Sequence, residues 1–323
     1  MIDLQNIHQN DWSQTQISIV GAGKSGIAAA KLGQYIGSQI FISDNNNSTE
    51  IMNNIVNYNY EVGVHSAKIL EADLVIISPG IPDSISIIQK CREQNIPIVS
   101  EIEFASWFTK SSILALTGSN GKTTTVHLLH EMCINDGKTS LLGGNVGIPF
   151  SENVHWELTS NIAGAVHVLE ISSFQLENIN SFSPNIACIL NISEDHMDRY
   201  GTIDAYISKK LKLAEQITDS GWLIYNADDT ILSENLVNKP RSALFSLKQK
   251  KQCHFKLNAS KVYSGEVENP NILFKLEDTK LKGSHNIQNI LAAATMAHAF
   301  GISHQAIQNT IMNFTPIPHR LEW

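Results

Sequence analysis

The sequence has few cysteines, no long apolar run and no excess of positive charge, and each absence narrows the class of protein. Its 323 residues include four cysteines that lie far apart and form no Cys-x-x-Cys pair, so we expect buried free thiols in a reducing compartment. No stretch approaches the ~20 apolar residues of a membrane span, and the polar N-terminus has no apolar signal core. We therefore expect a cytoplasmic protein.

The charge balance is acidic, and it narrows the choice of partners. The chain carries 31 acidic and 23 basic residues, which gives a formal net charge of -8. Nucleic acid and anionic membranes require a basic face, so we expect neither as a partner. Phosphate ligands are not excluded, because backbone amides and one lysine can bind a phosphate locally.

The most specific motif is a glycine loop between a predicted strand at residues 113–116 and a predicted helix at 122–136. The loop and the first helical turn consist of Gly118, Ser119, Asn120, Gly121, Lys122, Thr123 and Thr124. Loop amides and a helix N-terminus present positive potential to phosphates, the lysine reaches the terminal phosphates, and the threonine hydroxyl can bind Mg²⁺. We predict a phosphate-binding loop that is a short variant of the common P-loop pattern. The alternative is a Gly-Lys-Thr sequence that only begins a helix.

A second glycine motif, Gly21-x-Gly23-x-x-Gly26, follows a predicted strand at residues 17–20 and opens a helix, and Asp44 ends the next strand. This spacing matches the dinucleotide fingerprint, in which an acidic residue ~20 positions further on binds a ribose hydroxyl. It predicts a bound nucleotide or diphosphate without identifying which one. The alternative is structural: glycines that allow a tight turn and close packing of the helix.

Carboxylate, imidazole and amine side chains follow in the second half of the chain. Glu170 ends an apolar strand, and a carboxylate at that edge of a parallel sheet is a natural Mg²⁺ ligand. His196 lies just beyond the next strand, where its position is compatible with a metal ligand and with a surface or core histidine. Lys210 shares a predicted helix with two other lysines, and its spacing alone favours a solvated basic face. Asn286 lies at the start of an alanine-rich helix, so helix-start hydrogen bonding is its first interpretation.

Short apolar runs alternate with helical segments in two series, which indicates parallel sheets with helices on their faces. We predict an α/β fold in which a Rossmann-like N-terminal domain at residues 1–100 precedes a P-loop-type α/β ATPase domain at 101–315. The central sheet of the second domain is expected to be mostly parallel. Residues 316–323 are expected to begin a third, C-terminal domain.

Taken together, these segments resemble the Mur ligases over almost the whole chain. Residues 118–124 resemble the ATP loop of that family, and residues 143–147 and 285–289 resemble two further family signatures. Residues 169–177 and 194–200 are more specific, and they resemble the branch of the family that adds D-glutamate.

The resemblance implies a substrate and the residues that bind it. The first domain of the family binds the UDP part of UDP-N-acetylmuramoyl-L-alanine, so a uridine diphosphate rather than NAD is expected at the first glycine motif. The implied substrate-binding residues are Gly21, Ala22, Gly23, Lys24, Ser25, Asp44, Asn45, Ser78, Pro79, Gly80, Asn145, Ser172 and Ser173. Among them, Asn145 is expected near the reacting end of the substrate.

The resemblance also implies the ATP and metal ligands. Asn286 is expected to contact adenine, and Arg320 is expected to reach the ATP phosphates. Two Mg²⁺ ions are implied, with ligands from Thr123, Glu170, His196 and Lys210, the last as a carbamylated lysine. Lys122, Glu170, His196, Lys210 and Arg320 are the implied catalytic residues.

The implied activity is an ATP-dependent, amide-forming ligation in peptidoglycan synthesis through an acyl phosphate. In the family a third domain binds D-glutamate, and this chain ends at Trp323. We expect the chain as it stands to be a monomer that binds the UDP-linked substrate and ATP but does not complete amide formation. Two alternatives stay open: a non-catalytic nucleotide- or UDP-sugar-binding fragment, and an NAD-dependent oxidoreductase, which leaves the ATP loop without a role.

Overall fold

The structure, a computed structural model, describes residues 2–4, 6–194, 197–217, 220–236, 241–248, 253–258, 261–264 and 271–315. These residues form two compact units. Unit 1 contains the described residues of Met1–Lys110, Gly147–Ala163 and Phe174–Phe182. Unit 2 contains those of Ser111–Val146, Gly164–Ser173 and Ser183–Trp323. The chain therefore returns to unit 1 twice after it has entered unit 2.

The described residues contain fourteen strands and eleven α-helices. The strands are β1 Gln16–Val20, β2 Gln39–Asp44, β3 Asn59–Val62, β4 Leu74–Ile77, β5 Ile98–Ser100, β6 Ser112–Thr117, β7 Ser140–Gly144, β8 Val166–Glu170, β9 Ile186–Ile189, β10 Trp222–Asn226, β11 Ser242–Ser246, β12 Phe255–Asn258, β13 Lys261–Ser264 and β14 Asn271–Lys275. The helices are α1 Lys24–Tyr35, α2 Thr49–Ile55, α3 Ser86–Glu93, α4 Glu101–Ser106, α5 Lys122–Asn135, α6 Phe150–Thr159, α7 Met197–Tyr200, α8 Ile203–Glu215, α9 Thr230–Asn235, α10 Ser284–Ala299 and α11 His304–Asn313.

Unit 1 is built on a five-stranded sheet in the order β3-β2-β1-β4-β5. All of its strand pairs are parallel, and β1 and β4 are almost fully buried. Strand β4 is buried on both faces, which is why it is a continuous apolar run, whereas β1 also buries Ser18. Helix α6 packs against α1 and α4 of the same unit. The carboxyl ends of β1, β2 and β4 meet at one edge of this sheet.

Unit 2 is built on a nine-stranded sheet in the order β14-β13-β12-β11-β10-β9-β6-β8-β7. Strands β6 to β12 pair in parallel, and β13 and β14 extend the sheet in antiparallel fashion. Helices α5 and α10 pack against each other and contribute many of the buried side chains of the core. The prediction of an α/β fold with a mostly parallel central sheet is confirmed.

The four cysteines, Cys91, Cys133, Cys188 and Cys253, are buried thiols, as their apolar surroundings predicted. Burial raises the pKa of the Cys133 thiol to about 12 and raises that of Cys188 as well. A thiol that stays protonated is a poor nucleophile, so these two side chains act as core residues. No helix among the described residues is both long enough and apolar enough to cross a membrane.

Candidate active site

The glycine loop of unit 2 joins the end of β6 to the start of α5. Gly121 precedes the helix with a φ of 84°, in the left-handed region that favours glycine. A Cβ at this position would lie 2.2 Å from Asn289 Oδ1, on α10. The loop therefore requires glycine here both for its backbone conformation and for space.

Two lysine side chains converge on this loop. Lys122 Nζ donates to the carbonyl oxygens of Gly118 and Ser119 at 2.9 Å each, and Lys210 Nζ donates to the same Gly118 oxygen at 2.9 Å. Lys210 is only 2% exposed, and its Nζ lies 4.7 Å from the centre of the Tyr206 ring, within range of a cation–π attraction. The solvated basic face that spacing alone favoured for Lys210 is therefore excluded. Two lysine amines therefore lie within hydrogen-bonding distance of the loop backbone.

The carboxylate of Glu170, at the end of β8, is hydrogen bonded through both oxygens. Thr123 Oγ1 donates to Oε2 at 2.7 Å, and Asn145 Nδ2 donates to Oε1 at 2.9 Å. Thr123 and Glu170 come together because β8 lies beside β6, the strand that leads into the loop before Thr123, with Glu170 opposite Leu116 in register. Three residues that the sequence predicted as ligands thus form one hydrogen-bonded group.

The donor set of this group fits Mg²⁺. A threonine hydroxyl and a carboxylate are hard oxygen ligands, and both side chains are almost fully buried. Within the described ranges, no group of three or more His, Cys, Asp and Glu side chains is placed to hold a metal. Magnesium is commonly held by one or two protein oxygens together with the phosphates of its nucleotide. His196 and Arg320, the other predicted residues of this site, lie outside the described residues.

Helix α10 contributes two asparagines. Asn286 Nδ2 donates to the carbonyl of Lys282 at 2.8 Å, whereas the N-cap residue is Gly283 and the helix has no side-chain cap there. Asn289, three residues on, lies beside Gly121. Sequence analysis assigned no role to Asn289, and its only signal was its place in the segment 285–289.

The glycine motif of unit 1 lies at the carboxyl edge of its sheet. A Cβ on Gly26 would lie 1.9 Å from the carbonyl oxygen of Gly21, and Ser78 Oγ donates to that same oxygen at 2.9 Å. Beside Gly23, by contrast, no other described atom lies within 4 Å of the position that a Cβ would take. Gly26 therefore allows α1 to pack closely against the turn at Gly21, which is the structural role considered for this motif as an alternative to ligand binding. Gly23, by contrast, leaves room for a ligand at the start of α1.

The carboxylate of Asp44 ties the end of β2 to this glycine motif. Its Oδ2 accepts a 2.6 Å hydrogen bond from the Ala22 amide, and its Oδ1 accepts one of 2.7 Å from the Asn46 amide. The remaining predicted substrate residues of unit 1 lie at the same edge and are exposed or half-buried: Lys24, Ser25, Asn45, Pro79 and Gly80. In unit 2, Ser172 and Ser173 directly follow Ile171 after β8, the first half-buried and the second buried.

A polar cluster that sequence analysis missed supports the end of β2. Ser43 Oγ donates to Glu61 Oε1 at 2.7 Å and lies 2.7 Å from His65 Nδ1, while the Ser66 amide donates to Glu61 Oε1 at 2.8 Å. Burial alone would raise the pKa of Glu61. The hydrogen bonds from Ser66 and Ser43 outweigh the effect of burial, so the pKa lies below its usual value. The cluster fixes the strand end that carries Asp44.

Comparison with known proteins identifies the family. Residues 116–297 match the Mur ligase middle domain, and residues 15–100 match the Mur ligase MurD-like N-terminal domain. The chain belongs to the Mur ligase family.

The relatives include enzymes with a specific name. The chain is 36% identical to the UDP-N-acetylmuramoylalanine–D-glutamate ligase of Chloroherpeton thalassium, an alignment that covers 95% of this chain and 70% of that protein. It is 35% identical to the enzyme of the same name from Christiangramia forsetii, over 95% of this chain and 69% of that protein.

Solved structures of the family share the fold. The UDP-N-acetylmuramate:L-alanyl-gamma-D-glutamyl-meso-diaminopimelate ligase from Neisseria meningitides aligns with a TM-score of 0.63 at 17% identity, over 94% of this chain and 99% of that one. The UDP-N-acetylmuramate-alanine ligase from Thermotoga maritima aligns with a TM-score of 0.55 at 21% identity, over 93% of this chain and 69% of that one.

Proposed function

We propose that this protein is an ATP-dependent ligase that joins D-glutamate to UDP-N-acetylmuramoyl-L-alanine in peptidoglycan biosynthesis. The observation that carries the proposal is the Thr123–Glu170 hydrogen bond of 2.7 Å beside a lysine-bearing glycine loop. This arrangement supplies positive charge for phosphates and oxygen ligands for Mg²⁺ at one place. The names of the relatives, at 36% and 35% identity, support the substrate.

The proposed reaction has two steps. The alanyl carboxylate attacks the γ-phosphate of ATP, so a C–O–P linkage forms and ADP leaves. The neutral amine of D-glutamate then attacks the acyl carbon, the amide bond forms, and phosphate leaves with the bonding electrons while the amine loses a proton. Phosphoryl transfer requires mainly alignment and neutralisation of the oxygen charge.

The residues of unit 2 have separate roles in this proposal. Lys122, at the end of the glycine loop, neutralises charge on the transferred phosphoryl group. Thr123 and Glu170 would hold Mg²⁺, and the bound ion would supply Lewis-acid polarisation of the phosphate oxygens. Asn145 fixes the orientation of the Glu170 carboxylate through its 2.9 Å hydrogen bond and binds the substrate near its reacting end. Two Mg²⁺ ions, with His196 among their ligands, and a phosphate contact from Arg320 complete the proposed site.

Lys210 is proposed to act as a carbamate. Its neutral amine would attack carbon dioxide and lose a proton, which converts a cation into a carboxylate-like anion. This step needs the neutral amine, and Lys210 is only 2% exposed. A carbamate oxygen can ligate Mg²⁺, whereas an ammonium group repels it.

Unit 1 is proposed to bind the uridine diphosphate. The space beside Gly23 and the amides at the start of α1 suit a diphosphate, because a helix N-terminus favours negative charge. Asp44 and Asn45, at the end of β2, are the proposed uracil contacts. We propose that the protein acts in the cytoplasm as a monomer.

The proposal is tested by measuring ADP release and the mass of the UDP-linked product, with each of the three substrates omitted in turn. In a version of the protein that carries the D-glutamate-binding domain of the family, we expect ADP and the D-glutamyl product only in the complete mixture. A change in NADH absorbance in place of ADP release would contradict the proposal.

The variant Lys122→Ala tests the role of the loop. We expect loss of MgATP binding with unchanged binding of the UDP-linked substrate, because the lysine lies in unit 2 and the proposed UDP site in unit 1. The matched control is Lys138→Ala, since Lys138 pairs with Asp136 beyond the end of α5. Equal MgATP affinity in the two variants would refute the assignment of the loop.

A further inference from the structure

The glycine loop is held in its conformation by a side chain from outside it, Asn191, which follows β9. Asn191 Oδ1 accepts hydrogen bonds from the amides of Ser119 at 3.1 Å and of Asn120 at 2.9 Å. Its Nδ2 donates to the carbonyl of Asn120 at 3.1 Å. A single side-chain amide thus acts on three backbone groups of the loop.

The backbone and neighbours of Asn191 extend this contact. The Ser119 amide is shared with the Asn191 carbonyl at 3.0 Å. The Ser193 amide donates to Ser119 Oγ at 3.0 Å, and the Ile192 amide donates to Asp229 Oδ2 at 2.9 Å. The segment that carries Asn191 is therefore fixed both to the loop and to the carboxylate that caps α9.

We propose that Asn191 is a positioning residue for ATP binding, an inference that rests on the proposed function. Because the amides of Ser119 and Asn120 are directed to Asn191, the phosphate-facing amides are those from Gly121 onward, at the N-terminus of α5. A loop whose amides are already oriented loses less conformational freedom when the nucleotide binds. Asn191 lowers the Kd of MgATP in this way without contacting the nucleotide.

The chain contains a matched control for this residue. Asn185 precedes β9 as Asn191 follows it, and Asn185 Oδ1 accepts a 2.8 Å hydrogen bond from the Ile113 amide at the start of β6. Asn185 therefore connects the start of β9 to the start of β6, and Asn191 connects the end of β9 to the loop that follows β6. Only Asn191 lies at the end that carries the glycine loop.

The first test compares Asn191→Ala with Asn185→Ala by calorimetric titration with MgATP and with the UDP-linked substrate. We expect the Kd of MgATP to rise about tenfold or more in Asn191→Ala, since three hydrogen bonds to the loop are lost. It should change less than about twofold in Asn185→Ala. The affinity for the UDP-linked substrate should be unchanged in both. Equal MgATP affinities in the two variants would overturn the inference.

Amide hydrogen exchange without nucleotide gives a second measurement that does not depend on catalysis. In Asn191→Ala the amide of Asn120 should exchange faster, whereas the Ser119 amide keeps the Asn191 carbonyl as an acceptor and the amides of the β6 ladder keep their partners. Asn191→Asp retains the side-chain acceptor and should restore protection of the Asn120 amide, yet it should bind MgATP weakly because it adds negative charge beside the phosphates. If Asn191→Ala does not fold, hydrogen exchange is measured in Asn191→Asp instead. Loss of protection of the Asn120 amide in Asn191→Asp would overturn the inference. Failure of wild-type protein to bind MgATP would instead contradict the proposed function.

Discussion

Thr123 Oγ1 donates a hydrogen bond of 2.7 Å to Glu170 Oε2, so the hydroxyl that follows the phosphate loop and the carboxylate that ends β8 are close enough to share one cation. The two residues are 47 positions apart in the sequence. They meet because β6 and β8 are parallel neighbours, and parallel strands have their carboxyl ends at the same edge of a sheet.

The first prediction concerns this pair. Glu170→Gln keeps the size of the side chain and an oxygen that accepts from Thr123, but it removes the negative charge that attracts a divalent cation. We expect the Mg²⁺ concentration that gives half-maximal ATP binding to rise at least tenfold, and the melting temperature to fall because the new amide group faces the Asn145 Nδ2 donor. The measurement is a Mg²⁺ titration of ATP affinity, repeated with Mn²⁺ by electron paramagnetic resonance.

The matched control for this prediction is Glu131→Gln. Glu131 is exposed on α5, the helix that begins next to Thr123, so the same change in charge is made away from the proposed metal. An equal effect of the two substitutions would show that overall charge rather than metal ligation is responsible.

Much of this site follows from local sequence because its parts are strand ends. The positions of Glu170 and of the loop before Lys122 could be predicted from apolar runs that end in polar residues, together with the rule that ligands gather at the carboxyl edge of a parallel sheet. The spacing of the dinucleotide fingerprint similarly singled out Asp44, which lies beside the glycine motif of unit 1. These predictions need only the order of residues within one strand and one turn.

The remaining parts of the site depend on which strands become neighbours. Asn191 reaches Asn120 across 71 positions because β9 pairs with β6, and nothing in the local sequence of Asn191 indicates that partner. Asn289 reaches Gly121 because α10 packs on α5. The returns of residues 147–163 and 174–182 to unit 1 are contacts of the same kind, and no composition or periodicity marks them.

The second prediction concerns Lys210 and its neighbour Lys209. Lys210 is buried with its Nζ against Gly118 O, whereas Lys209 is half-buried and points about a hundred degrees away around the helix. In a version of the protein that carries the D-glutamate-binding domain of the family, Lys210→Ala should abolish turnover, and a short carboxylate at high concentration should restore part of it by supplying the missing anion. Lys209→Ala should keep nearly wild-type activity.

Isotope-labelled carbon dioxide provides an independent measurement of the carbamate. We expect a carbamate carbon resonance in wild-type protein that is absent from Lys210→Ala and present in Lys209→Ala. Identical activities and spectra for the two variants would show that Lys210 does not carry this group.

The third prediction separates two glycines of the unit 1 motif. Gly23 has a φ of -71°, which alanine adopts readily, and no other described atom lies near its Cβ position. Gly23→Ala should therefore leave the melting temperature unchanged but weaken binding of UDP and of the UDP-linked substrate, because the methyl group occupies the space left for the diphosphate.

Gly26→Ala is the contrasting variant. Its Cβ would lie 1.9 Å from the carbonyl of Gly21, so α1 must move away from the turn, at a cost of about 1–3 kcal/mol in the free energy of unfolding. Thermal unfolding and calorimetric titration of both variants measure the two effects. Full UDP affinity in Gly23→Ala would show that no phosphate approaches this glycine.

The fourth prediction concerns Glu101, at the start of α4 in unit 1, which is 1% exposed. Its Oε1 accepts a 2.5 Å hydrogen bond from the Ser151 amide, whereas its Oε2 has no hydrogen-bond partner among the described residues. Burial raises the pKa of Glu101 from 4.5 to about 7, although the hydrogen bond from Ser151 opposes the shift. The folded state therefore holds a proton here over a range of pH in which the unfolded chain has released it.

The sign of the resulting pH dependence follows directly. Below pH 4.5 the carboxyl group is protonated in both states, and between pH 4.5 and about 7 only the folded state binds the proton, so stability falls as pH rises through this range. Above pH 7 the loss is complete, at about 3 kcal/mol for a shift of this size. The glutamine side chain of Glu101→Gln is neutral at every pH. The unfolding free energy of this variant, relative to wild type, should therefore rise by about 3 kcal/mol between pH 4.5 and about 7, so that the variant gains in relative stability at high pH.

Glu103, two residues along the same helix, supplies the control. Its carboxylate is also buried but accepts hydrogen bonds from the amides of Asn180, Ser181 and Phe182, from Ser181 Oγ and from Trp107 Nε1, at 2.6 to 2.9 Å. Glu103→Gln turns an amide group toward these donors and should lower stability by about 1–3 kcal/mol at neutral pH. Urea unfolding of both variants from pH 4 to pH 8 measures the contrast. A constant difference between Glu101→Gln and wild type over that range would show that Glu101 releases its proton at its ordinary pKa despite its burial.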